Sequence, residues 1–185
     1  MFLTLLLWAF SFIPLLAAIP TTSAPLQKRC TNALTNPSFE SGESPWLAMA
    51  FGSWAQRGVY TSPSGGHDGN DFYYGEVNAT VADATLTVSQ SSLSLQAGST
   101  VDCSAWVASN RPGNTGSTRV EVFLDEKTCG SAVYLGTSGW TKVGGKITVD
   151  GTASHTFAVV VLSDEAGPDG AMVWIDEAVV GNGWC

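Results

Sequence analysis

From residue 85 onward the chain alternates apolar and polar positions in short runs. In TLTVSQ (85–90) Leu86 and Val88 share one face. Leu93 and Leu95 then fall out of phase, which predicts a bulge or short turn between. VDCSAWV (101–107) puts Val101, Cys103, Ala105 and Val107 on one face and Asp102, Ser104 and Trp106 on the other. RVEVFLD (119–125) turns Val120, Val122 and Leu124 inward and leaves Arg119, Glu121 and Phe123 opposite. HTFAVVVL (155–162) is apolar on both faces and reads as a central strand, and MVWIDEAVV (172–180) reads as the last strand. A period of two is the mark of half-buried strands. Turn-forming stretches such as SPSGGHDGND, NRPGNTGS and DEAGPDGA separate these runs, and no long helical period occurs. The pattern predicts an all-β protein, a β-sandwich. Near its start, LTNPSFESGESPW (34–46) reads as the end of a first strand at Phe39 and Glu40, followed by a turn and Trp46.

The first thirty residues stand apart. MFLTLLLWAFSFIPLLAAIP carries no charged side chain and is broken by Pro14 and Pro20. This suits a secretory signal peptide over residues 1–24 better than a membrane span, which needs about 20 uninterrupted apolar residues. Cleavage is expected between 17 and 24, beside Ala17, Ala18 or Ala24. Lys28-Arg29 is a dibasic pair, so residues 25–29 read as a short pro-segment cut after Arg29. The remaining stretch, 30–185, has the size of one domain. The chain is expected to be secreted and extracellular, without a membrane anchor.

All sixteen acidic residues fall after residue 29, against six Lys and Arg, and the whole-chain charge is −8. Such a surface repels nucleic acid and anionic membranes. The four cysteines, in a chain that reads as secreted, favour disulfides over metal, since no zinc spacing occurs. Three pairings are open and the sequence does not choose. The favoured guess is Cys30–Cys185 and Cys103–Cys129, the first requiring the first and last strands to be neighbours. Asn78-Ala79-Thr80 is the usable N-glycosylation sequon, because Asn36-Pro37-Ser38 has proline in the middle.

Four stretches share order and spacing with a known family. NPSFESGESPW, GGHDGNDFYYGEV, SQSSLSLQAGSTVDCSAWVAS, and the pair SGWTKVGGKITV and VWIDEAVV resemble successive motifs of CenC-type carbohydrate-binding modules, from Asn36 to Gly181. Ser38 stands where the family's opening motif has an aspartate. The resemblance implies a galactose-binding-domain-like jelly roll of two antiparallel sheets and non-catalytic binding of cell-wall polysaccharide such as β-glucan or xylan. The leader with its dibasic pair resembles fungal secreted proteins, and the domain is expected to be a stand-alone monomer, whereas such modules usually ride on a glycoside hydrolase. A secreted effector or wall-surface interaction protein on the same fold is the alternative.

Pyranose rings present flat C–H faces that aromatic side chains match. The candidate sugar contacts lie off the core-facing positions or in loops: Trp54, Tyr60, Tyr74 and Trp106. Arg119 and Glu121 are candidates to bond hydroxyls. Trp46, Trp140 and Trp174 match family positions that pack, and are left out. The opening glutamate has its own reading. If the first and last strands are neighbours, Glu40 and Asp176 approach one another with no basic residue close in sequence. A structural calcium ion suits two such carboxylates. The loop Gly65–Asp71 is placed to add carbonyls, and Asp71 a side chain. Similar modules carry such an ion with matching Glu and Asp positions. The competing reading is that Glu40 and Asp176 cap turns or pair with distant basic groups.

Catalysis is the least favoured reading. A glycoside hydrolase needs two carboxylates held about 5–9.5 Å apart, and nothing in the sequence pairs Asp68, Asp71, Glu76 or Glu121. No G-x-S-x-G elbow occurs. His67 and His155 are solitary, and His67 reads as an exposed or turn residue. A polysaccharide lyase using Tyr or His stays open.

Overall fold

The computed structural model describes residues 31–78, 84–151, 154–164 and 166–182. The expected signal peptide, the expected cleavage after Arg29 and the expected Cys30–Cys185 bridge fall outside the described residues. The described chain is all strand and turn. Its elements are β1 (Thr31–Asn32), β2 (Leu47–Phe51), β3 (Trp54–Thr61), β4 (Asp71–Val77), β5 (Ala84–Leu93), β6 (Thr100–Asn110), β7 (Thr118–Leu124), β8 (Lys127–Thr128), β9 (Val133–Leu135), β10 (Ser138–Thr148), β11 (His155–Ser163) and β12 (Ala171–Asn182). No helix among the described residues is long and apolar enough to cross a membrane.

Two antiparallel sheets form a jelly-roll sandwich. The first runs β10-β6-β12-β4-β3, with β1 on the end of β12. The second runs β2-β5-β11-β7-β8, with β9 beside β7. The alternation along β6 decides which side chains enter the space between them. Val101, Cys103, Ala105 and Val107 are buried there, while Asp102 and Trp106 on the other face stay half-exposed. β11 lies between β5 and β7. Its inner side chains Phe157, Val159 and Val161 are fully buried and Ala158, Val160 and Leu162 line the outer face. That arrangement accounts for a strand apolar on both sides. The phase slip after Gln90 is a bulge: Leu93 pairs with His155 and Gln90 with Phe157, with Ser92 at φ 64° absorbing the extra residue.

The strand expected to end at Phe39 and Glu40 is not one. Only Thr31 and Asn32 pair, with Asn182 and Gly181, and residues 34–45 form successive turns. Asn36 (φ 52°) and Phe39 (φ 59°) take left-handed backbone there, which breaks an extended run. The turn is held from within. Asn36 Nδ2 donates to the Gly42 carbonyl, and the Trp46 indole N–H donates to the Asn36 carbonyl at 2.8 Å. Burial drives the arrangement: Phe39 is driven into the core against Trp46 (ring centroids 5.1 Å apart) and Tyr73 (5.9 Å).

Cys103 on β6 and Cys129, just past β8, form a disulfide with Cα atoms 5.6 Å apart. It ties the first sheet to the second, one of the two bridges guessed from the sequence.

Candidate functional site

The outer face of the first sheet carries a run of rings. Register fixes who neighbours whom. Tyr60 on β3 stands opposite Phe72 on β4, Tyr74 opposite Trp174 on β12, and Trp106 on β6 opposite both Asp176 and, on β10, Lys142. Tyr60 meets Tyr74 edge-on at 5.0 Å between centroids, and Tyr74 leans on Trp174 at 5.8 Å. Opposite Tyr74 on β3 stands Gly58, and nothing lies within 4 Å of where its Cβ would be. A groove of about 330 Å³ therefore opens between Gln56, Tyr60, Thr61, Ser62, Phe72, Tyr74 and Trp174.

Polar groups are set around these rings. The Tyr60 hydroxyl donates to Gln56 Oε1 at 3.0 Å, and the Tyr74 hydroxyl to Glu76 Oε2 at 3.1 Å. Burial, and then the bond to Glu76, push the Tyr74 hydroxyl up to about 12, so it keeps its proton as a donor across ordinary pH. The result is a flat apolar strip with hydrogen-bonding groups along its rim. That combination suits a ring with one C–H face and hydroxyls at its edge.

At the other end of the face the β3–β4 loop folds down onto the sheet. Two carboxylates receive it. Glu40 Oε1 accepts from the backbone N–H groups of Asn70 and Asp71, both at 2.8 Å. Asp176, wholly buried, accepts through Oδ2 from the N–H of His67 (2.6 Å) and of Asp68 (2.9 Å), and through Oδ1 from its neighbour Glu177 (2.7 Å). Among the described residues no ion pair forms at Asp176, and burial pushes it up to about 6 against the pull of those three N–H groups. The loop's glycines leave room for this. A methyl group on Gly66 would sit 2.9 Å from Asp176 Oδ2, 3.0 Å from the Asp71 carbonyl oxygen and 3.2 Å from that of Asp68. Ser38, also buried, donates to Asp68 Oδ2 at 3.1 Å.

Not every residue singled out from the sequence belongs to one face. Tyr60, Tyr74 and Trp106 share the outer face of the first sheet. Trp54 does not lie off the core register: its ring packs on Val77, Ala84, Ala166 and Ala171. Its indole N–H is taken by the carbonyls of Phe51 and Thr85. Arg119 and Glu121 sit on β7 in the second sheet, paired with each other at 2.9 Å, away from the rings. Trp174 and Trp140, expected to pack, are half-exposed on the ring-bearing face. Trp46 is buried as expected. His67 is not merely a turn residue: it stacks on Trp106, meets Trp140 edge-on at 5.9 Å, and pairs with Glu177 at 2.5 Å. Glu40, Asp71 and Asp176 meet the same loop, Asp71 through its backbone. Among the described residues no three His, Cys, Asp or Glu side chains are grouped to hold a metal. Asn78 is exposed, and the rest of its sequon lies outside the described residues.

No protein-family model matches the sequence, and no curated protein matches it either. Solved structures do match in fold. The carbohydrate-binding module TmCBM61, solved in complex with β-1,4-galactotriose, superposes with a TM-score of 0.58 at 20% identity, covering 81% of this chain and 97% of that one. The CBM22-1–CBM22-2 tandem of Paenibacillus barcinonensis Xyn10C gives 0.52 at 17% identity, covering 85% and 46%. The enzymatically active domain of bacteriophage CBA120 tailspike protein 4 gives 0.56 at 16%, covering 81% of this chain but 21% of its own length. The chain thus has the β-sandwich fold shared by carbohydrate-binding modules.

Proposed function

We propose that this protein is a secreted, non-catalytic carbohydrate-binding module that takes a cell-wall polysaccharide, a β-glucan, xylan or similar glycan, along the outer face of its first sheet. The observation that carries this reading is the ring run Tyr60–Tyr74–Trp174 over an open groove with Gln56 and Glu76 at its rim. The structural neighbours include a module bound to β-1,4-galactotriose, which supports the ligand class. The test is affinity electrophoresis in gels containing β-glucan, xylan or galactan. Tyr60→Ala and Trp174→Ala weaken retention at least tenfold while the melting temperature holds. Arg119→Ala, on the other sheet, leaves retention unchanged. Equal retention of all variants, or release of reducing ends from any of these glycans, overturns the reading.

We further propose a structural calcium ion at the loop corner. The buried, unpaired charge of Asp176 and the carbonyl oxygens of Asp68 and Asp71 around Gly66 support it. Glu40, Asp71 and Asp176 with those carbonyls are the groups that would hold it, and the ion would supply positive charge beside Asp176, which forms no ion pair among the described residues. Binding to the folded state alone raises stability. The melting temperature should rise in millimolar calcium, fall in chelator, and lose that response in Glu40→Gln. A melt indifferent to both overturns the proposal.

A further inference from the structure

After residue 29 the chain has six basic side chains: Arg57, Arg111, Arg119, Lys127, Lys142 and Lys146. Arg111 is buried among hydroxyls and carbonyls. Arg119 pairs with Glu121, Lys127 with Asp150 and Lys142 with Asp102. Among the described residues, Arg57 and Lys146 form no ion pair. Of these two, Lys146 lines a groove of about 470 Å³, shared with Thr100, Asp102, Lys142 and Gly144. The groove lies on the outer face of the first sheet. Val143 and Ile147 of β10 pack inward, so Lys142, Gly144 and Lys146 face out, opposite Trp106, Ser104 and Asp102 of β6. Gly144 keeps the groove open between the two lysines. At its φ of 108° a Cβ would sit 2.3 Å from the Cys103 carbonyl oxygen. Ser104 beside it is buried, and its Oγ has no hydrogen-bond partner among the described residues. Such an orphan next to a groove marks a place where a bound hydroxyl completes the bonding.

We propose that this groove is a subsite for the carboxylate of a uronic-acid residue, carried at intervals by an otherwise neutral glycan. The inference rests on the carbohydrate reading above and narrows its ligand. Lys146 offers an unpaired ammonium to the carboxylate, and the lysine stems give the sugar ring an apolar wall. Lys142 is already held by Asp102 at 2.9 Å, so the groove neutralises one carboxylate and not a run of them. The net charge of −8 selects in the same direction. A chain charged at every unit is repelled by the molecule as a whole, whereas a single carboxylate between two lysines meets a local positive field. β10 also carries Trp140, half-exposed on the ring-bearing face. It precedes Lys146 by six residues, about 20 Å along the strand. A ligand that meets both is an extended chain whose acidic unit lies several sugars from the stacked ones.

The test is affinity electrophoresis in glucuronoxylan and in the same xylan after its carboxylates have been reduced to alcohols. The wild type is retained about threefold more strongly by the native polymer, the scale of one solvated ion pair, and the preference fades in about 0.5 M salt. Lys146→Gln, an exposed substitution, binds the reduced polymer as the wild type does and loses the preference. Lys127→Gln, the same change of charge on the second sheet, keeps it. Trp174→Ala weakens retention by both polymers at least tenfold, which separates the rings from the groove. Equal retention of the wild type by the two polymers overturns this inference and leaves the ring-bearing face standing. A preference that survives Lys146→Gln, or stronger retention by polygalacturonate than by glucuronoxylan, also overturns it. Retention by neither xylan overturns it too, and β-glucan and galactan gels then decide the ring-bearing face separately.

Discussion

The imidazole of His67 lies flat on the indole of Trp106, with ring centroids 3.8 Å apart and planes 14° from parallel. One residue of a glycine-rich loop thereby covers a ring of the sheet beneath. Trp106 is less open than the Tyr60–Tyr74–Trp174 groove, and its role includes holding the loop. A stacked pair of this kind is worth about 0.5–1.5 kcal/mol. His67→Ala should therefore lower stability by about 1 kcal/mol in chemical denaturation. His67→Phe keeps the stack, loses only the contact with Glu177, and should recover most of that loss. Equal effects of the two substitutions would assign the anchoring to Glu177 instead.

Gly69 sits at φ 84°, and a Cβ there would run into the Glu40 carboxylate. Gly69→Ala combines left-handed strain with overpacking, so the expected cost is about 2–4 kcal/mol. Glu40→Ala removes the collision. The double variant should then cost less than the sum of the two single ones. Urea denaturation of the four proteins of the cycle measures the coupling, and strict additivity would place the loop away from Glu40.

Asp176 is held up at about 6 by burial, whereas an unfolded aspartate titrates near 3.9. Between these values the folded protein binds more protons than the unfolded chain. In chelator, its stability should fall as pH rises from about 4 to about 6 and level off above, by on the order of 3 kcal/mol. Asp176→Asn is less stable throughout, because its amide NH₂ faces a backbone N–H. The diagnostic is the slope, which flattens in this variant. An unchanged slope would assign the titration to other groups.

The Cys103–Cys129 bridge closes a loop with a sequence separation of 26. In the chain-entropy account that is worth about 3.5 kcal/mol. The double substitution Cys103→Ala with Cys129→Ala should shift the urea midpoint accordingly, and a reducing agent should do the same to the wild type. No shift with full reduction would show that strain in the folded state offsets the constraint.

Strand pattern was legible because a period of two records directly which side chains face the core. Val101 to Val107 and Val120 to Leu124 lie as their alternation predicts. Trp174 was legible by the same rule, since Val173 and Ile175 flank it and point inward, but family analogy placed it in the packing. Trp54 misled because a bulge between Trp54 and Gln56 resets its face, and bulges leave little trace in sequence. Arg119 and Glu121 were rightly read as facing away from the core. Alternation says which face, but not which of two sheets. Phe39 and Glu40 read as the end of a strand because Phe39 looks like a core residue. It is one, delivered by left-handed backbone instead of a ladder. Arg111 sits buried beneath the NRPGNTGS turn, bonded to Thr118, Ser163 and the carbonyls of Thr115 and Asp164. Ser163 and Asp164 are remote from it in sequence, so nothing near Arg111 marks it as buried.

The place of β12 has a consequence for how the chain reaches this state. β12 is the last of the described strands, yet it lies between β6 and β4. Until it emerges from the ribosome, the first sheet exists only as two halves, β10 with β6 and β4 with β3, each with a bare inner edge. The second sheet draws on strands no later than β11, so it can assemble sooner. Folding of the first sheet must wait for β12 and then close long loops, a slow, non-local step. During that wait two unpaired strand edges stand open, and in a crowded cell such edges find the wrong partner.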